Sequence, residues 1–334
     1  MDYSNAWAVV LAGGEGTRVR SFLQKLCGGS GLKQFSTIIG ERSMLLCTLD
    51  RIERLIPRER ILIVVSAQHR AEVDRQLPHW ARNNIIFQPA NRHTAPGILL
   101  PLAHITHRDP GASVVVFPSD HFILDEEKFM DAVASALAAL AKNPDKMILL
   151  GMTPQSGEES EYGYIVSTAP NGNGAPSRVI GFVEKPPLAQ AKQLIQRGAL
   201  WNTMVFAVHN QTLWDMVQRT SPVLYHAFRL VQLSLHTGCP DRFLNQLYET
   251  IPSVNFSSAI CEPLSSRLCV LPVADVGWSD WGTVGSIVRT LQKLGRFDAL
   301  AARMDTSMEP QWYTPQASPA RGEMPRPLLN TSSG

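Results

Sequence analysis

Short runs rich in valine and isoleucine recur along this chain, and longer stretches with helical apolar spacing separate them. No other feature restricts the fold as much, because this alternation calls for a mostly parallel sheet with helices packed on its faces, an α/β layered architecture. The spacing predicts strands over 7–11, 61–65, 85–87, 114–117 and 147–152, with helices over 43–55, 68–77, 95–105 and 126–140 between them. From about Glu158 the strands shorten, at 164–167, 178–184 and 204–208, and a helical stretch over 211–248 follows. A strand at 268–273 and a helix at 282–294 complete the expected order. One continuous domain is expected over residues 1–300, ahead of a Pro- and Ser-rich tail at 301–334 whose composition predicts disorder or loose docking. No internal repeat is found.

With 334 residues, 44% of them hydrophobic and 18% charged, the chain can bury a core. Its formal net charge of +2 provides no broad field for nucleic acid or an anionic membrane, so neither is an expected partner. The cysteines Cys27, Cys47, Cys239, Cys261 and Cys269 are odd in number, widely spaced and never in a CxxC pair. This argues against a zinc site or a disulfide framework and for reduced thiols. The apolar stretch near the start lacks a basic flank and is too short for a signal or a membrane span. A cytoplasmic protein is expected.

The first strand runs directly into Gly13, Gly14, Glu15, Gly16, Thr17 and Arg18. A glycine-rich turn at the carboxyl end of a parallel strand stands where open α/β sheets bind ligands. Its backbone N–H groups can converge on a polyphosphate, and Arg18 adds a forked cationic donor. A tight turn with no ligand fits the same residues. Two other phosphate motifs fail: Lys33 is followed by Gln34 without P-loop glycine spacing, and the second strand ends in Ser66-Ala67 rather than the acidic residue of a dinucleotide site.

Leu11 through Arg18, followed by Leu32-Lys33-Gln34-Phe35, resembles the signature of the nucleoside-diphosphate-sugar pyrophosphorylases. Further segments resemble the mannose-1-phosphate guanylyltransferase branch, in the family's order. Residues 88–96 (QPANRHTAP) are similar to its EPxxRNTAP, and 117–121 (FPSDH) to its LPSDH. Residues 162–165 match YGYI, 182–186 (FVEKP) match FxEKP, 201–206 (WNTMVF) resemble WNSGMF, and 276–282 (VGWSDWG) match VGWSDxG. The resemblance implies a Rossmann-like nucleotide-diphospho-sugar transferase fold, with a nucleotide half at 1–155 and a sugar-phosphate half at 156–300. The left-handed β-helix that many members carry is not evident after Leu294.

The implied reaction is attack by a sugar-1-phosphate oxygen on the α-phosphorus of a nucleoside triphosphate, GTP with mannose-1-phosphate by resemblance. It needs positioning and charge neutralisation more than acid–base work. Arg18, Lys33, Asp120 and Asp280 are the implied catalytic residues, with Mg²⁺ as cofactor on Asp120 and Asp280. Leu11, Ala12, Gly13, Gly14, Gly16, Thr17, Arg18, Gln88, Arg92, Thr94, Ala95 and Asp120 would hold the nucleotide. Tyr162, Gly163, Glu184, Lys185 and Asn202 would meet the sugar phosphate. Structural alternatives stand beside these roles: Asp280 as a helix cap, Lys185 with Glu184 as a surface ion pair, and Gly163 as a bulge glycine. His104 and His107 are read as surface or half-buried histidines, and His121 as a phosphate contact or a packing residue.

Leu32 replaces the family's proline, and residues 27–31 form an insert expected to make the loop mobile. Gln88 replaces a glutamate, His93 an asparagine and Met204 a glycine, which opens the base and sugar preferences. The same chemistry on another base or sugar, and a non-catalytic nucleotide-sugar-binding regulator, are the alternatives. A homo-oligomer is compatible with the sequence.

Overall fold

The first apolar run becomes β1 (Ala6–Ala12), and its side chains alternate between two cores: Ala8 and Val10 enter one, Trp7 and Val9 the other. A strand buried on both faces needs cover on both. In the computed structural model, residues 5–154, 160, 162–169, 175–238 and 241–298 are described, so the expected tail and Cys239 lie outside the described residues.

After β1 come α1 (Thr17–Cys27), α2 (Met44–Glu53), β2 (Ile61–Ser66), α3 (Arg70–Gln76), β3 (Ile85–Gln88), α4 (Thr94–Arg108) and β4 (Ser113–Pro118). Then follow α5 (Glu126–Lys142), β5 (Met147–Met152), β6 (Tyr164–Ser167), β7 (Ser177–Val183), α6 (Leu188–Gln196) and β8 (Leu200–His209). The described chain continues with α7 (Asn210–Thr220), α8 (Pro222–Ser234), α9 (Asp241–Thr250), β9 (Leu268–Val273) and α10 (Val284–Lys293).

The strands form one sheet in the order β3-β2-β1-β4-β8-β5-β9-β7-β6. Strands β3, β2, β1 and β4 are parallel, β8 runs antiparallel to β4 and β5, and β5 pairs in parallel with β9. The result is the expected mixed α/β sheet flanked by helices. Its register sets the ligand edge: Leu11 lies opposite Pro118, Ala12 opposite Val65, and Ser66 opposite Gln88. Gly13, Gln88 and Asp120 therefore leave the sheet on the same side.

Three expectations change. The interval from Arg18 to Lys33 contains a full helix, α1, because Val19, Phe22, Leu23 and Leu26 fall on one buried face. Residues 27–31 fold back onto it, with the Ser30 carbonyl accepting from Arg20 Nε (3.2 Å) and Gln24 Nε2 (3.3 Å). This is a tethered turn rather than a loose insert. The stretch over 211–248 is not one helix: α7 ends before Ser221, where Pro222, which has no N–H to donate, opens α8. Caps explain two other boundaries. Asp125 accepts from the Lys128 N–H (2.9 Å) ahead of Glu126 and Glu127, and Thr283 with Ser286 forms a reciprocal capping box.

Candidate active site

The glycine turn is held from beneath by two side chains. Buried Gln34 donates through Nε2 to the carbonyls of Ala12 (3.0 Å) and Gly14 (2.8 Å). Ser119 Oγ donates to the Leu11 carbonyl (2.7 Å), and the Ser119 N–H adds a second bond to it (3.1 Å). Gly16, at φ 58°, starts α1 in the left-handed region that glycine adopts without strain. Thr17 and Arg18 form the exposed first turn of that helix.

Asp120 follows β4, and a short antiparallel contact brings Asp280 to it. Phe122 N–H donates to the Ser279 carbonyl (2.9 Å) and Ser279 N–H to the Phe122 carbonyl (3.0 Å). Phe122 stacks on Trp281 with ring centroids 4.7 Å apart, which closes the far side of this clamp. Lys33 is buried between the two aspartates. Its Nζ lies 2.9 Å from Asp120 Oδ2 and donates to the backbone carbonyl of Asp280 (2.5 Å). Burial would raise the Asp120 carboxyl, but the Lys33 ammonium and its hydrogen bond outweigh that and hold it below the usual carboxylate range. Asp280 Oδ1 accepts from the Gly282 N–H (2.9 Å). A Cβ on Gly282 would stand 2.5 Å from Asp280 Oδ2 and 3.0 Å from Arg18 Nη2, so Arg18 and Asp280 approach one another across this glycine.

His121 packs edge-on against Trp278, whose Nε1 donates to His121 Nδ1 (3.2 Å). Desolvation, opposed by Asp120, pushes its pKa down to about 4, so the ring is neutral at neutral pH. Trp278 packs in turn on Tyr162, which is buried against Trp201 with centroids 4.4 Å apart. Tyr162 thus lies in an aromatic wall. Glu184 sits over Gly163, where a Cβ would stand 2.5 Å from its Oε2, while the Gly163 carbonyl accepts from the Asn202 N–H (2.8 Å). Asn202 is anchored at both polar atoms: Oδ1 accepts from Met204 N–H (3.1 Å) and Nδ2 donates to Ser257 Oγ (3.2 Å), each with one further bond to give. Lys185 follows β7 as an exposed residue with φ 41°.

A cavity of about 310 Å³ opens between the glycine turn and Asp120, lined among others by Gly13, Gly14, Gln88, Thr94, Asp120 and Met204. Arg92 is turned away from it, donating through Nε to the Tyr248 carbonyl at the end of α9 (2.7 Å). Ala95 spends its N–H on the Val254 carbonyl (3.0 Å), and Thr94 Oγ1 accepts from Phe256 N–H (2.8 Å). These residues stitch α4 to the 254–256 segment. A larger cavity, about 810 Å³, lies between α2 and residues 121–127. It contains no part of the glycine turn, and its Arg51 and Arg54 are both paired with Glu126. The smaller cavity is the one that the glycine turn and Asp120 share. Gln34, Ser119 and Gly282 are site residues that the sequence reading did not single out, although each lies within or beside a quoted motif.

A mixed sheet with a glycine turn, buried lysine and paired aspartates on its ligand edge defines a nucleotide-handling α/β protein. The family model described as Nucleotidyl transferase matches residues 7–296, and the chain belongs to that family. It is 31% identical over 290 residues to a mannose-1-phosphate guanylyltransferase of Salmonella muenchen, covering 84% of this chain and 58% of that protein. It is 30% identical over 287 residues to the alginate biosynthesis protein AlgA of Pseudomonas syringae pv. tomato, covering 84% and 57%. The chain spans less than two thirds of the length of these curated relatives. A solved structure from Thermus thermophilus, described as mannose-1-phosphate geranyltransferase, is 29% identical with a TM-score of 0.73, covering 86% of this chain and 79% of that one.

Proposed function

We propose that this protein transfers GMP from GTP to mannose-1-phosphate, giving GDP-mannose and pyrophosphate. The observation that carries the proposal is Lys33 seated between Asp120 and Asp280 at the edge where the glycine turn opens. The guanylyltransferase relatives supply the choice of base and sugar.

The Asp120 carboxyl, held in its ionised form, and Asp280 fit Mg²⁺, which binds through one or two carboxylates plus substrate phosphates. Bound there, Mg²⁺ would neutralise phosphate charge. The chain's own residues do the rest. Backbone N–H groups of residues 13–16 receive the triphosphate, with the turn fixed by Gln34 and Ser119. A phosphate oxygen of the sugar phosphate bonds to the α-phosphorus, and the bond to the bridging β-phosphate oxygen breaks. The electron pair leaves with pyrophosphate, whose growing charge Arg18 and Lys33 stabilise. Glu184, Lys185 and Asn202 receive the sugar phosphate, with Tyr162 packed on Trp201 and Trp278 beside Gly163.

No described helix is long and apolar enough to cross a membrane, and a cytoplasmic location is part of the proposal. The test is Mg²⁺-dependent pyrophosphate release with five nucleoside triphosphates against mannose-1-phosphate and glucose-1-phosphate, on wild type and Asp280→Asn. Activity confined to GTP with mannose-1-phosphate, and lost in the variant, is expected. Silence across the panel would sink the reading.

A further inference from the structure

The segment between α9 and β9 lies in none of the motifs, yet it reaches the sugar-facing side of the sheet. Val254 and Phe256 bind it to the start of α4, and Phe256 stacks on Phe206 of β8 with ring centroids 5.2 Å apart. This docking delivers Ser257, the first residue of a single π-helical turn, Ser257–Cys261. Such turns are rare and recur at functional sites.

Ser257 Oγ lies 3.2 Å from Asn202 Nδ2 and 3.0 Å from Met204 Sδ. The direction of each bond follows from the groups themselves. The Met204 N–H can only donate, so the amide atom 3.1 Å from it is the acceptor, Asn202 Oδ1. This turns Nδ2 towards Ser257, whose oxygen accepts from it. The hydroxyl proton then goes to the thioether sulfur, a weak acceptor. Reversing the amide would set two donors against each other at Met204.

One hydroxyl thereby fixes two parts of the site. Asn202 stands beside Gly163 and Glu184, since a Cβ on Gly163 would lie 2.5 Å from Glu184 Oε2 and 3.8 Å from Asn202 Cβ. Nδ2 is 4.0 Å from the Met204 sulfur, at the outer reach of a bond to sulfur, so a ligand oxygen can claim its second N–H. Met204 lines the 310 Å³ cavity, and its unbranched, flexible chain would sample several rotamers without the Ser257 contact.

Resting on the guanylyl-transfer reading, we infer that Ser257 is a positioning residue for the sugar phosphate. It holds Asn202 with one amide N–H turned to the sugar-1-phosphate and holds Met204 as a wall beside it.

The test measures kcat and both KM values, for the triphosphate and for the sugar-1-phosphate that wild type prefers, on wild type, Ser257→Ala and Ser257→Thr. Thermal melting checks folding. Ser257→Ala should raise KM for the sugar phosphate by about 3- to 12-fold, the range for one modest hydrogen bond, and leave kcat and KM for the triphosphate within about twofold. Ser257→Thr keeps the hydroxyl and should restore the sugar-phosphate KM to within about twofold of wild type. A merely structural role would move both KM values together. Ser257→Cys, which keeps the shape and weakens both bonds, should shift KM in the same direction and decides where the alanine variant does not fold. An unchanged sugar-phosphate KM, or a loss shared by both substrates, overturns the inference and leaves the guanylyl reading intact. A wild type that turns over no sugar-1-phosphate overturns both.

Discussion

Lys33 Nζ lies 2.9 Å from Asp120 Oδ2, and the lysine side chain is 7% exposed while that of the aspartate is 31% exposed. An ammonium thus sits against a carboxylate expected to receive a metal, and its other bonds go to the backbone carbonyls of Asp280 and Trp281. The pair neutralises charge and also ties two segments together.

Removing one partner leaves the other partly buried without compensation. Lys33→Met should therefore lower stability by about 1–3 kcal/mol, discounted from the fully buried case because Asp120 reaches solvent. Turnover should fall by about 10²-fold or more. Lys33→Met with Asp120→Asn should be more stable than Lys33→Met alone, read by urea denaturation. Additive losses in the double variant would show that the pair is not coupled.

Gly282 offers a sharper separation of activity from folding. A Cβ at this position would meet Asp280 Oδ2 and Arg18 Nη2, the two groups expected to act on the triphosphate. Gly282→Ala should displace one or both, and a misplacement of about 1 Å can cost about 10²-fold in rate. Melting should move little. A variant with unchanged kcat/KM would detach Arg18 and Asp280 from the reaction.

Much of this site is legible in the sequence because its parts follow local rules. Gly13 and Asp120 each end an apolar run, and the register of parallel strands places both at the same edge. Asp280 is reached by its motif, although its approach to Asp120 depends on the Phe122–Ser279 ladder, a contact between segments far apart in sequence. Side-chain direction is less legible. Arg92 sits in a motif associated with the nucleotide, yet the bare carbonyls ending α9 claim its guanidinium. The interval 18–33 reads as an extended loop when glycines are weighed, but the apolar spacing of Val19, Phe22, Leu23 and Leu26 outweighs them.

Met204 illustrates a backbone demand visible only in the structure. Strand β8 shifts register against β5 around this residue, and Met204 takes φ 58° there, a conformation costing a residue with a Cβ about 1–3 kcal/mol. Its sulfur accepts from Ser257 Oγ (3.0 Å), and the side chain lines the cavity. Met204→Gly loses packing and gains strain relief, terms of similar size, so its stability should stay within about 1 kcal/mol of wild type. Met204→Ala loses the packing and keeps the strain, so it should be the less stable of the two. Glycine above alanine within a strand inverts the usual order, and denaturation of the two variants reads it directly. Alanine equal to or above glycine would remove strain from the account.

His104 in α4 predicts how the fold responds to acid. Desolvation, assisted by Arg108 and His107, pushes its pKa from 6.5 down to about 4. Between these values the unfolded chain binds a proton that the folded chain refuses, so stability rises with pH through this window. The contribution is fully present above about pH 6.5 and is lost as pH falls to 4, a change of up to roughly 3 kcal/mol. His104→Gln should flatten the stability profile between pH 6.5 and 4.5. It should not abolish the slope, because His121 is depressed in the same direction. Urea midpoints measured across that range for wild type and variant check it, and parallel curves would show that His104 takes up its proton equally in the folded and unfolded chain.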